Sequence, residues 1–284
     1  MASMRDIKRR RSSIQSTQQI TKAMKLVSTV KLQRAKTNAE KSKEYFNAIY
    51  EAVHSMLGKT ANINHPYLQG NESKKKAVIL FTSNRGLAGG YDSNVIKLIT
   101  KSDFDLKDLK VYAAGKKGMD AMKRFGCKVH SNECDAVDEP SFDRAVQISK
   151  DVLEQYVKGE VGEVYIAYTV FKNTVTHIPT LLRVLPIESM IDVPEADDKA
   201  MMNFEPEEEE ALDMIIPKYV SSLIYGALVE SIASENGARM QAMDSATSNA
   251  EDLIQKLSLQ YNRARQGSIT QELTEIIAGA EAIS

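Results

Sequence analysis

Residues 235–266 read ENGARMQAMDSATSNAEDLIQKLSLQYNRARQ, a stretch without proline in which Met240, Met243, Thr247, Ala250, Ile254, Leu257, Tyr261 and Ala264 recur in steps of three and four. A repeat averaging 3.5 residues is the period of a two-helix seam, so the stretch predicts one strand of a coiled coil. The same alternation runs upstream through Leu212, Ile216, Tyr219, Leu223 and Gly226. One helix is therefore expected from about Pro206 to the end of the chain, roughly 100 Å long, with Pro217 tolerated near its start or at a kink. Small residues crowd its middle, among them Ala233, Ser234, Gly237, Ala238, Ala242 and Ser245, and permit a close approach by a second helix.

A helix of that length needs a partner for its apolar stripe. The other end of the chain supplies one. No proline precedes Pro66 and no glycine precedes Gly58, while Ile20, Ala23, Val27 and Val30, then Tyr45, Ile49, Val53 and Met56, recur at helical spacing. Residues 3–57 read as a single helix of roughly 80 Å. The two long helices are expected to pair as an antiparallel intramolecular coiled coil. Because the second has more residues, its C-terminal end should project beyond residue 1 as a lone helix.

Between the arms, short β-rich runs alternate with helical segments: strands at Ala77–Thr82, Lys110–Ala114, Cys127–His130, Val164–Val170 and Leu181–Leu185, and helices near 92–100, 116–125 and 141–157. This alternation favours a mostly parallel sheet, with the last two strands joined by a hairpin or an edge crossover. The fold class is α/β plus a long coiled coil: N- and C-terminal helices paired antiparallel, with a central Rossmann-like α/β domain. The expected domains are 1–58, the first coiled-coil helix; 59–205, the α/β domain; and 206–284, the second coiled-coil helix. Residues 192–210 read as an acidic connector, and the run Glu207–Glu210 suits a helix N-terminus.

The chain has 284 residues and a net charge of only −1. That balance argues against a dedicated nucleic-acid or membrane-surface binder, but it is uneven. Residues 1–43 hold twelve Lys and Arg against Asp6 and Glu40, so the remainder is acidic. No aromatic residue occurs before Tyr45, so the basic helix lacks stacking groups for nucleic acid and fits an acidic protein partner better. Two cysteines are too few for a disulfide framework and suit a reducing compartment. No apolar run approaches the roughly 20 residues of a membrane span, and the N-terminus lacks the apolar core of a signal peptide. Direct membrane insertion is not expected.

The loop SNRGLAGGYDSN, Ser83–Asn94, follows a strand and precedes a helix, where phosphate loops sit. It contains neither GxGxxG nor GxxxxGK[ST], so it reads as a turn closing the strand onto its helix. Cys127, His130 and Cys134 form C-x2-H-x3-C with only His177 as a fourth ligand, a poor zinc pattern and a better buried strand with two free thiols. His54 and His65 have no nucleophile or carboxylate pattern beside them. No catalytic residue, cofactor or metal is assigned.

The sequence ITQELTEIIAGAEA, Ile269–Ala282, resembles the signature of γ subunits of bacterial F-type ATP synthases. The resemblance extends to MRDIKRRRSSIQSTQQITKAMKLVS near the start, to SNRGLAGGYDSN and to residues 235–266, and so covers the whole chain. Two positions depart from the pattern: Asn84 stands where an acid is usual, which puts a local salt bridge in doubt, and Gly237 where alanine is common, which suggests a weaker helical turn. The resemblance implies a non-catalytic rotor shaft standing in a hexameric ring of α and β subunits. Its α/β domain would form a foot on the membrane c-ring beside subunit ε, at the cytoplasmic face of the bacterial membrane, and proton flow would turn ring and shaft together. It further implies that Met24, Lys25, Arg239, Gln266, Thr270, Glu272, Thr274 and Glu275 face the β subunits or brace the helix pair, with Arg239 and Gln266 bonding to β-subunit loops. Without the resemblance, Thr270, Glu272, Thr274 and Glu275 are an ordinary solvated helix face. The rival reading is a nucleotide-binding α/β enzyme that dimerises through its coiled-coil arms.

Overall fold

A computed structural model describes residues 4–59, 65–187 and 208–281. In chain order the elements are α1 (Met4–Lys59), β1 (Lys76–Phe81), α2 (Tyr91–Thr100), β2 (Lys110–Ala114), α3 (Lys116–Arg124), β3 (Lys128–Asn132), α4 (Cys134–Asp138), α5 (Phe142–Val157), β4 (Glu163–Phe171), β5 (His177–Leu185) and α6 (Glu208–Glu281). They form two compact units, one holding the described residues up to Ser28 and from Met240 onward, the other Thr29–Arg239. The expected acidic connector falls largely on residues 188–207, which lie outside the described residues.

In the larger unit the sheet order is β3-β2-β1-β4-β5, parallel except for β5, which returns from β4 as an antiparallel hairpin. The central strand β1 reads KAVILF and is fully buried from Ala77 to Phe81, as a parallel strand covered on both faces must be. Val95 and Ile99 of α2 and Met122 of α3 close one layer over Val78, Leu80 and Val111. The hairpin turns at Asn173, whose Oδ1 accepts the amides of Val175 and Thr176 at 2.9 and 2.7 Å. Helix α4, five residues long, carries too little periodicity to have been read from sequence. Its Cys134 is half-buried, while Cys127 packs in the core with its Sγ 4.0 Å from Met122 Sδ. Burial pushes both thiols up.

Within the same unit, α1 and α6 run antiparallel against each other. Tyr50 meets Tyr219, ring centroids 6.4 Å apart, and Phe142 bridges Tyr45 to Tyr225. Leu32, Ala35, Val53 and Met56 are buried, with Ala39, Ser42, Phe46 and Ile49 half-buried between them, a seven-residue repeat without interruption. Pro217 sits inside α6 without ending it. An 18-residue window of α6 is long and apolar enough to cross a bilayer, which corrects the expectation that no such run exists. That window is 56% buried in the protein, and its hydropathy is that of a core helix.

The smaller unit is a two-helix antiparallel pair. Thr21 and Thr247 bring their hydroxyls to 2.8 Å, Lys25 Nζ lies 2.5 Å from Asp244 Oδ1, and the Arg11 guanidinium stands 5.6 Å above the Tyr261 ring. On α6, Met243, Ala250 and Leu257 are buried and Thr247, Ile254, Tyr261 and Ala264 half-buried, as the spacing predicts. On α1 the stripe is displaced by one position from the one expected. Ile7, Ile14, Thr21 and Ser28 face α6, whereas Ile20, Ala23 and Val27 are exposed, as is Val30 of the larger unit. At Thr21 the reason is polar: its hydroxyl meets that of Thr247 at 2.8 Å, a bond that a valine or isoleucine in the same place could not make.

Candidate functional site

In a doubly wound sheet, ligands bind at the carboxyl ends of the strands where the strand order reverses. Here that point lies between β1 and β4, and the chain's own α6 fills it. Ser234 Oγ donates to Thr169 O at 3.0 Å, and Ser231 Oγ lies 3.5 Å from the Thr169 amide while also bonding the buried Tyr91 hydroxyl. One turn on, Arg239 pairs with Glu235 at 2.7 Å, both side chains about 10% exposed, and extends Nη2 to the carbonyls of Arg85 and Gly86 at 3.2 and 3.5 Å. Burial outweighs Arg239 and holds the Glu235 carboxyl above the ordinary range.

The loop 82–90 is fixed from its other side as well. Asp92 accepts both the amide and the hydroxyl of Ser83, at 2.7 and 2.6 Å. Asn84 donates through Nδ2 to Cys134 O and to Asp138 Oδ2, both at 2.8 Å, and accepts the Lys116 amide at 3.0 Å. An aspartate at position 84 would set a carboxylate against Asp138 and lose both donations, so the asparagine is matched to its partner. So braced, the loop holds Leu87 at φ 67° with its side chain 62% exposed. A leucine in the left-handed region and turned into solvent is not part of the core.

Gly237 has an equally local reason. A Cβ there would stand 2.7 Å from His177 Nε2 and 3.3 Å from the Phe171 ring. His177 is not drawn toward Cys127, His130 or Cys134; it packs beside Phe171, while His130 faces Tyr112 and Gln155. Burial lowers the His177 pKa.

In the smaller unit the outward surface is uneven around its circumference. Exposed apolar residues Ile20, Leu26 and Val27 lie among the exposed cations Arg5, Lys8, Arg9, Arg10 and Lys22 of α1. On α6, Ile269, Leu273, Ile276 and Ile277 are 47–68% exposed at i, i+4, i+7 and i+8, an unpartnered amphipathic face.

A family model for ATP synthase matches residues 3–283. The ATP synthase gamma chain of Lachnoclostridium phytofermentans is 59% identical over 291 residues, covering all of both chains. The chain belongs to the ATP synthase γ-chain family. Another relative is the sodium ion specific ATP synthase gamma chain of Acetobacterium woodii, 38% identical over 99% of each chain. Among solved structures, a chain of the Euglena gracilis mitochondrial ATP synthase shares the fold, with a TM-score of 0.67 and 18% identity over 99% of this chain and 94% of that one.

The eight residues singled out as γ-chain interface fall into three settings. Arg239 is turned inward and bonded to the 82–90 loop, and Lys25 is committed to Asp244 across the helix pair; both brace this chain. Met24 is half-buried beside the seam. Gln266, Thr270, Glu272, Thr274 and Glu275 are exposed on α6, with the threonine hydroxyls bonded to carbonyls one turn back and Glu272 and Glu275 accepting from Ser268 and Gln271. Sequence reasoning missed Leu87, Leu26 and the apolar face at 269–277. A bulky leucine between glycines, and isoleucines at helical spacing beyond the reach of α1, were the available signals.

Proposed function

We propose that this chain is the central shaft of a rotary ATP synthase and carries no catalytic centre. Residues 1–58 and 206–284 act as the axle inside a ring of α and β subunits. Residues 59–205 act as the foot, engaging the membrane c-ring and subunit ε. Ion flow turns the c-ring and the chain together, at the cytoplasmic face of the bacterial membrane. Each β subunit then meets a different sector of the shaft, and differential contact biases its conformation so that ADP and phosphate bind, react and leave in turn.

The observation that carries this reading is the uneven circumference of the helix pair: apolar Ile20, Leu26 and Val27 exposed among cations, above a seam closed by Thr21–Thr247 and Lys25–Asp244. Ile7, Ile14, Met243 and Leu257 packed beside the Thr21–Thr247 bond hold the two helices together as one rod. The family membership supports the assembly, and the filled switch point argues against the nucleotide-enzyme alternative. Membership of the family is compatible with more than one coupling ion, since a sodium ion specific relative shares it. Reconstitution tests the proposal: purified α and β subunits should show steady ATP hydrolysis that depends on this chain. Equal steady hydrolysis in its absence would overturn it.

A further inference from the structure

A groove of about 460 Å³, within the range of small-molecule sites, opens between α5 and α6 in the larger unit. Phe142, Val146, Ser149 and Leu153 recur on α5 at i, i+4, i+7 and i+11 and so present one stripe to it, and α6 answers with Pro217, Lys218 and Ser221. The helices meet at Ser149 and Pro217, where the serine hydroxyl lies 3.5 Å from the proline carbonyl; Ser221 donates to that same oxygen at 2.7 Å. Both serine hydroxyls are thereby turned to one carbonyl, which leaves the groove apolar between them. Val146 on its wall is 41% exposed. From Phe142 to Lys150 is eight residues of helix, about 12 Å, so the apolar stretch is elongated.

The charge at the mouth is of one sign. Glu154, the acid among the described lining residues, already pairs with Lys158 at 2.5 Å, which holds its carboxyl below the ordinary range. Lys150 and Lys218 are both exposed, one from each helix and each one residue past the meeting point. Neither is in an ion pair among the described residues.

We propose that this groove binds a medium-chain fatty carboxylate, its acyl chain laid along Val146 toward Phe142 and its head group between the Lys150 and Lys218 ammoniums. Burial of the chain against Val146, Leu153 and Pro217 supplies the driving force, and the two lysines select for an anion. An acyl chain fits better than a peptide, since serine hydroxyls already turned to a carbonyl offer nothing to buried peptide groups. The site lies wholly within the larger unit, and its binding does not depend on the rotor reading.

The test titrates the full-length chain with decanoate, kept below its micellar range, by calorimetry and ligand-observed NMR, beside decyltrimethylammonium as the same chain with a cationic head. Decanoate is expected to bind saturably and more tightly than the cation. Lys150→Gln combined with Lys218→Gln should raise its Kd about fivefold, the size expected for two exposed charge contacts. Val146→Glu should abolish saturable binding by setting a carboxylate on the apolar wall, with helix content and melting temperature retained because the position is exposed; if that variant fails to fold, the lysine variant and the cationic analogue still decide. Absence of saturable decanoate binding at millimolar concentration, equal or tighter binding of the cation, or an unchanged Kd in either folded variant would each overturn the proposal. Displacement of decanoate by equimolar hexaglutamate would assign the groove to an acidic peptide and overturn it as well.

Discussion

Replacing Gly237 by alanine sets two effects of opposite sign against each other. In the interior of a helix, alanine is favoured over glycine by about 1 kcal/mol. The new Cβ, however, would stand 2.7 Å from His177 Nε2, where ordinary contact begins near 3.4 Å. Relieving an overlap of that size in a packed site costs about 1–3 kcal/mol. Gly237→Ala should therefore be neutral to about 2 kcal/mol destabilising, against the sign of helix propensity. Removing the obstacle reverses it: in a His177→Ala background, Gly237→Ala should stabilise by about 1 kcal/mol. Urea denaturation of the four proteins, read by circular dichroism, gives a coupling energy of about 1–3 kcal/mol, well above the few tenths expected for independent sites. If Gly237→Ala stabilises equally in both backgrounds, close approach to His177 is not the reason for this glycine.

Asn84→Asp should destabilise by about 1–2 kcal/mol, through lost donation to Cys134 O and repulsion from Asp138, and Asp138→Asn should restore much of it; a thermal melt of the two variants and their combination checks this. Arg239→Ala should cost the isolated chain about 3 kcal/mol or more, because it leaves Glu235 buried without its cation. If instead that variant keeps its stability and only lowers activity of the reconstituted complex, Arg239 acts on a partner rather than on the 82–90 loop. His177 should make the chain acid-sensitive. Its lowered pKa means the unfolded chain takes up the proton first, so stability is lost as pH falls below about 6.5 and the loss levels off below the folded value. Comparing unfolding free energies at about pH 7.5 and about pH 5.5, the native chain should lose more than His177→Phe; equal losses would remove His177 from the explanation.

The first long helix was legible because proline and glycine are absent over dozens of residues, and the second because its seam keeps a 3.5-residue rhythm. On α1 the same method chose the wrong stripe. It followed Ile20, Val27 and Val30, whereas the seam there continues from Ile7 and Ile14 through Thr21 and Ser28, and the bulky set is exposed. Hydrophobic periodicity cannot distinguish a face that packs within the chain from one kept for another molecule. The sheet was readable because its central strands are buried on both faces and so nearly wholly apolar; α4 was not, being shorter than two turns. Arg239 shows a further limit. The resemblance implied a bond to a partner subunit; the carbonyls of Arg85 and Gly86, which its guanidinium meets within this chain, lie far away in sequence and reveal themselves only after folding. The departures at Asn84 and Gly237 read as local weaknesses in isolation. Each proves to be one half of a pair whose other half, Asp138 or His177, no single position announces.

In the proposed shaft the two terminal helices turn as one body. Introducing Thr21→Cys and Thr247→Cys, with Cys127 and Cys134 replaced by serine, would place a disulfide where two hydroxyls already meet at 2.8 Å. ATP-driven rotation of a bead attached to the α/β domain, observed in single complexes with the α and β subunits, is the direct measurement. Rotation should continue at an undiminished rate and torque after oxidation. Loss of rotation on closing that bond, restored by reduction, would mean that the helices must part to work and would contradict the account.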